Sequence, residues 1–416
     1  MSRLSRRAFL EVCAATGVAM ALGPRRWGWA QEASPFGPLQ DDPILRLPEG
    51  FSYRIVAQTG TPLLDGLGPY PRPNFPDLNV VFPLSNGRLL LATSHEIPPE
   101  FPLLTPPPGE DYDPVAGGSV TSLILQPDLS IAESAYSAGG MIMNCSGSGT
   151  PWGTVLTGEE ATNDLAAPHG FVWEVDPMTH TKVRLDACGR FDHETAVVDP
   201  RSGVVYLTED SGTDSLLYRM IPEEPGNLAA GGALEAYKAD GTWVPITDPS
   251  ADTAAQGVAL GARRFARLEG GRFDPLAPSR FYFTETEDDA GCGRVWRLDV
   301  DTGVLETFAQ GDPNGVLCMP DNVAFDLAGN LFVCEDRGQA GPSNRNQIVF
   351  IDRQGNMAVF AELVQTVFTP GPVNIADEIT GPAFTPDGAV LFVNLQRGAP
   401  LAGLTVALEG PFAGVA

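Results

Sequence analysis

Residues 31–416 are predicted to form an all-β, six-bladed β-propeller with long inter-strand loops, and three observations predict it. Short alternating or continuous apolar runs, bounded by Gly, Pro, Asn and Asp, recur along the chain, while no long amphipathic helix appears. The 46 glycines and 38 prolines punctuate these runs heavily, which keeps strands short. One paired-strand pattern also recurs from end to end, with no linker between separate cores.

Residues 1–30 read as a cleavable address rather than as part of the fold. Arg6 and Arg7 precede Ala8-Phe9-Leu10 in a twin-arginine arrangement, and an apolar stretch interrupted by Glu11 and Gly17 runs to Leu22. That stretch is too short to span a bilayer as a permanent helix. Gly28-Trp29-Ala30 places small residues where cleavage would occur. The expected location is therefore periplasmic or extracellular, reached by the twin-arginine pathway. That route carries folded proteins and suits a chain that loads its cofactor first.

FSYRIVAQ, residues 51–58, has no copy elsewhere and is expected to close the ring beside the last blade. In the repeat itself, an acidic residue opens a strand, a turn follows, and a second apolar strand ends in further acidic residues. Asp77 opens DLNVVFPLSNGRLLLATSHE, which ends on His95 and Glu96. Cys145 leads to Glu159 and Glu160, and Glu194 leads to Glu209 and Asp210. Glu269 leads to Glu285 and Glu287, Asp321 to Glu335 and Asp336, and Glu378 opens EITGPAFTPDGAVLFVN. A third strand follows most pairs, as in HGFVWEVD and GRVWRLD, and usually a fourth. Four short strands repeated every fifty to sixty-five residues or so are a propeller signature, with an irregular sandwich as the other architecture.

Five cysteines remain beyond residue 30, an odd number that leaves at least one thiol outside disulfides in an oxidising compartment. Cys318 and Cys334 flank a predicted hairpin and are a plausible pair, and Cys188 with Cys292 is the arithmetic remainder. Charge narrows the partners. Removing the five arginines and one glutamate of residues 1–30 leaves 21 basic and 51 acidic residues, a formal charge of −30. Such a surface repels nucleic acid and anionic membranes, so neither is an expected partner; a small-molecule partner and a monomer are the separate expectations.

In a propeller the first strand of each blade lines the central channel. Cys145, Glu194, Glu269, Asp321 and Glu378 all open such strands, and five anionic groups at one channel mouth cannot all ionise without counterions. Cations are the economical solution for the set, although any one of these carboxylates alone would read as a solvated turn cap. Carboxylates suit calcium, and a thiolate among them suits a transition metal. With four histidines and no CxxC pair, a zinc site is weakly supported.

At these residues the sequence resembles the PhoX-type alkaline phosphatases. The segments that carry the resemblance are MNCSGSGTPWGTVLTGEE, GRFDHETAVVDP, FARLEGG, PDNVAFDLAGNLFVCED and EITGPAFTPDGAVLFVN, in order from Met143 to Asn394. The resemblance implies an exported propeller with Fe3+ and Ca2+ in its channel. It also implies that Cys145 is an iron-bridging thiolate, that Glu194 and Glu269 are metal ligands, and that Glu159, Asp321 and Glu378 have calcium roles. Arg267 would contact the phosphoryl group, acting on a phosphate monoester. Read from the residues alone, Arg267 could equally pair with Glu269 or a neighbouring blade. Two departures stand out: Ala161 replaces the asparagine that follows the paired glutamates in the family, and Leu268 replaces the proline of its RPE segment. His193 reads as a packed or orienting residue, and Trp152 and Trp296 as blade core. Alternative readings are a calcium-dependent lactonase, which would not need Cys145, and a non-catalytic propeller rigidified by calcium.

Overall fold

The computed structural model describes residues 34–64, 70–99, 112–288, 291–337, 346–364, 378–396 and 403–414. The export signal read over residues 1–30 lies outside them. Six antiparallel sheets of four or five strands make up the rest. Their first strands are Pro76–Pro83, Asn144–Gly149, His193–Val198, Leu268–Phe273, Pro320–Phe325 and Ile379–Phe384, opening blades one to six. Each packs against the next and the sixth returns to the first, closing a ring around a channel. A propeller forms, not a sandwich.

Position within the blade decides the composition of each strand. The innermost strand is covered on both faces, and every residue of His193–Val198 is buried. At the rim, Thr181–Arg184 alternates between exposed and half-buried positions. Turns between the first two strands use an aspartate to satisfy backbone N–H groups. Asp199 accepts from the Arg201 N–H at 2.9 Å, Asp274 from Leu276 at 2.8 Å, and Asp326 from Asn330 at 2.8 Å. Part of the acidic excess is accounted for here, by turns at the bottom of the blades.

The core lies between blades. Six apolar clusters fill the six junctions, among them Leu78, Val80, Val155 and Trp173 between blades one and two. The junction of blades five and six holds Phe332, Phe350, Phe360 and Phe412, with edge-to-face contacts from Phe36 and Phe51. Each buried phenylalanine contributes about 1.5–3 kcal/mol. Ser52–Gln58 pairs antiparallel with Leu404–Glu409, so the predicted closing strand joins blade six from the other end of the chain.

Three local readings are corrected. The disulfide joins Cys292 to Cys318, linking the loops at the tops of blades four and five. Cys334 is instead buried mid-strand in the junction of blades five and six, and Cys188 in that of blades two and three, so neither thiol faces its predicted partner. Trp296 is core as expected, but Trp152 is 36% exposed at a hairpin tip, where its Nε1 donates to Glu174.

Candidate metal centre

All six inner strands break register near their upper end. The shifts fall at Pro76/Asn79, Asn144/Gly147, His193/Ala196, Leu268/Gly271, Pro320/Val323 and Thr380/Ala383. A bulge re-aims the residue it carries. In five blades that residue is Asp77, Cys145, Glu194, Glu269 or Asp321. Blade six differs: Glu378 lies just before its strand, and Gly381 takes a φ of +56° beside the Asp77 carbonyl. A Cβ there would lie 2.0 Å from that oxygen, so only glycine fits.

Three groups of potential ligand atoms result, each lying within 4.8 Å of one another: Asp77, Glu96 and Cys145; Cys145, Glu160 and Glu194; and Glu194, Glu269 and Asp321. Cys145 and Glu194 belong to two groups each, so the three make one continuous chain of donors. Glu378 is near enough for its field to act on Glu194 and Asp321.

Burial and mutual repulsion dominate the electrostatics. Burial, then the fields of Asp210, Glu96 and Glu378, push the Glu194 carboxyl up to about 8, and the neighbouring Cys145 thiol offsets only part of this. Glu160, Glu269 and Asp321 are pushed up for the same reasons. Burial also raises the Cys145 thiol, reinforced by Asp77 and Glu194. Among the described residues, no N–H or O–H donor reaches either oxygen of Glu194. A buried carboxylate without such donors is costly, and a bound cation is the group that would satisfy it. The donor set is carboxylates with a single thiolate, which fits calcium together with a transition metal.

Glu159 does not join this chain. Its Oε1 accepts from the Ile142 N–H at 3.1 Å and lies 2.7 Å from His169 Nδ1, while Oε2 accepts from Gly170 and Phe171 at 2.9 and 3.0 Å. Neighbouring side chains on a strand face opposite ways, so Glu160 takes the channel position that the sequence reading gave to Glu159. The same division recurs around the ring. Glu209 accepts from the Leu216 N–H and Tyr218 Oη, Glu285 from Ala266 and Trp296, and Glu335 from Cys318 and Arg337. The residues that follow have different tasks: Asp210 pairs with Arg267, Thr286 donates to the Pro320 carbonyl, and Gln396 links Asp77 to Glu96.

Hydroxyl and amide groups on second strands hold the ligand-bearing backbone of the next blade. Ser94 donates to the Cys145 carbonyl at 3.0 Å, Thr208 to that of Glu269 at 2.7 Å, and Thr284 to that of Asp321 at 2.6 Å. Asn394 likewise donates to the Asp77 carbonyl. Each of these four candidate ligands is thus held by two blades, the kind of support that metal sites require.

Arg267 sits at the outer side of the centre. Its φ of +49° is unusual for a residue with a side chain, and its amide donates to the Gly212 carbonyl. The guanidinium bridges Asp210 at 3.1 Å and Glu269 at 2.9 Å, with 27% of the side chain exposed. The field of Glu269 raises its pKa against the effect of burial, so it is a permanent cation at the mouth. His193 is packed: its ring lies 3.6 Å from that of Phe191, and burial holds it neutral with a pKa of about 3. Ala161 is buried with Ala116, Ile142 and Met143, and Asn163 is exposed nearby.

Asp77, Glu96 and Glu160 are therefore channel acids that the predicted ligand set omitted. Asp77 opens a first strand of the repeat, and Glu96 and Glu160 close second strands, which is the signal that could have found them.

The family model described as alkaline phosphatase PhoX matches residues 114–399, more than half of the chain. PhoX of Pseudomonas fluorescens, solved in complex with vanadate, a transition state analogue, superposes with a TM-score of 0.70 at 19% identity, covering 90% of this chain and 97% of that one. The periplasmic gluconolactonase PpgL of Pseudomonas aeruginosa gives 0.45 at 14% identity over 87% and 97%, and a Xanthomonas campestris gluconolactonase gives 0.44 at 13% over 90% and 98%. No curated protein sequence matches significantly.

Proposed function

Because this chain belongs to the alkaline phosphatase PhoX family, we propose that it is an exported phosphatase hydrolysing phosphate monoesters at a metal centre in the propeller channel. Asp77, Glu96, Cys145, Glu160, Glu194, Glu269, Asp321 and Glu378 would hold Fe3+ and Ca2+ there, with Cys145 the thiolate for iron. The carrying observation is the continuous chain of three donor groups sharing Cys145 and Glu194, buried except for half-buried Glu160 and mutually repelling.

When bound, such ions neutralise the phosphoryl oxygens and make an oxygen nucleophile available at neutral pH. The chain's own residues do the rest. Arg267 offers paired N–H donors to a phosphoryl group at the mouth, in exchange for part of its pairing with Asp210 and Glu269. The second-strand hydroxyls keep the ligands from moving as charge develops. Neutral, packed His193 supports the strand beneath Glu194 and supplies no proton. Ala161 leaves the side of Glu160 without an amide, so Arg267 carries more of the phosphate contact than it would beside an asparagine.

The residues 1–30 motif supports export, and no helix among the described residues is long and apolar enough to cross a membrane. The test is elemental analysis of protein exported through its own signal, with phosphomonoester turnover measured on the same sample. Iron and calcium with turnover is the expected result. Neither metal above background rejects the metal centre, and turnover of a lactone but no phosphate ester favours a lactonase.

A further inference from the structure

Arg272 lies three residues below Glu269 on the inner strand of blade four. Its Nη1 donates to the Gly147 carbonyl at 2.6 Å and to the Gly271 carbonyl at 2.7 Å. Gly147 belongs to the inner strand of blade two, and blade three lies between, so the side chain crosses the channel. Among the described residues it has no ion-pair partner, unlike Arg267, which has two. The side chain keeps partial exposure although protein surrounds it. Holding a guanidinium on neutral carbonyls inside a protein is unfavourable unless a nearby negative field offsets the loss of water. Burial does pull its pKa down to about 10, and the two groups that oppose this are Asp77 and Glu194, from blades one and three.

We propose that Arg272 is a cation supplied by the protein itself, which balances the acidic centre from the channel side and closes that side to soluble metal ions. This rests on the metal-centre reading for its consequence, although the charge balance holds with or without bound metal. Metal ions then enter and leave by the mouth that Arg267 borders, where its charge is offset by Asp210 and Glu269, because the unpaired charge of Arg272 bars the route past Asp77 and Glu194. The two carbonyls gripping the guanidinium are oxygen donors that a divalent ion can use once the side chain is gone. Arg272 is a positioning residue and touches no reacting atom.

The experiment compares full-length wild type with Arg272→Lys, Arg272→Gln and Arg272→Met. Calcium loss to excess EDTA is followed in time, calcium per chain is counted, and melting is recorded in EDTA. Arg272→Met should lose calcium about tenfold faster or more, since one charge interaction of ordinary size changes a rate by that factor. It should also bind additional calcium when loaded. Arg272→Lys should stay near wild type in release, and Arg272→Gln, polar but neutral, should resemble Arg272→Met. Equal release and equal calcium in all four overturns the proposal. So does Arg272→Lys behaving like Arg272→Met, or Arg272→Gln behaving like wild type, since either shows that the charge is not the operative feature. If wild type holds no metal, the proposed function fails and the Arg272 proposal is decided by melting in EDTA. Wild type should then melt highest, Arg272→Lys next and the neutral variants lowest, and equal melting overturns it. Should Arg272→Met not fold, Arg272→Gln carries the neutral arm alone.

Discussion

Glu159 and Glu160 are chain neighbours with opposite tasks, so the same substitution should produce opposite effects. Glu159 receives three backbone N–H groups and faces His169, all buried. Glutamine keeps the shape but turns one oxygen into an NH2 group, which confronts either the Ile142 N–H on the Oε1 side or the Gly170 and Phe171 N–H groups on the Oε2 side. One or two buried donors left unsatisfied cost about 1–3 kcal/mol each, so Glu159→Gln should destabilise the protein by roughly 1–6 kcal/mol. It should do so equally in the presence of chelator, since no metal is involved. Glu160→Gln removes a carboxylate whose ionisation is opposed by burial and by Glu96, Glu194 and Asp210. In chelator it should melt no lower than wild type, or higher, while the metal content of loaded protein falls. Thermal melts with and without EDTA, paired with elemental analysis, separate the two. Glu159→Gln that loses metal yet melts like wild type in EDTA would refute this division and restore Glu159 as a ligand.

Further expectations concern the mouth, the thiolate and the charge of the centre. Arg267→Ala should lower kcat/KM for a phosphate monoester about thirty- to a thousand-fold, from roughly 2–4 kcal/mol of charge-assisted contact, with metal content unchanged; Arg267→Lys should recover only part of it, and activity falling only in step with lost metal would make Arg267 a structural partner of Glu269. Cys145→Ser should lower iron and abolish visible thiolate-to-iron absorption without unfolding the propeller, and retained absorption would exclude Cys145 as the ligand. Metal-free protein should be most stable in acid. The Glu194 carboxyl rises from its ordinary value of 4.5 to about 8 in the fold, so its contribution is fully present below 4.5 and declines until pH passes 8. Melting in EDTA should fall over that window, and a rise across it would show that other groups dominate.

What could be read from the sequence was whatever recurs. Six copies of a strand pair bounded by acids gave the blade number, and FSYRIVAQ, lacking a copy, could only close the ring. Cys145, Glu194, Glu269 and Asp321 were legible because each opens a first strand, and the bulge there aims it at the centre. The errors lie where one residue of register decides the face. GEE offers two adjacent glutamates, and composition cannot say which meets backbone amides and which meets the channel. The ring resolves it by symmetry: where a second strand ends in two acids, the first binds its own blade and the second faces away from it, as Glu160 does in joining the donor groups. Asp210 obeys this by pairing with Arg267, and Asp336 by its field on Glu269. Cysteine pairing was illegible for a different reason, since it depends on which loops meet at the blade tops rather than on spacing in the chain. Arg272 was hidden most completely. Nothing in the local pattern around Arg272 points to the channel, and only closing the ring places its charge beneath the acids. The local pattern therefore specifies the blades and most of the donors, whereas the balance of charge among them belongs to the closed ring, where residues far apart in sequence share one channel.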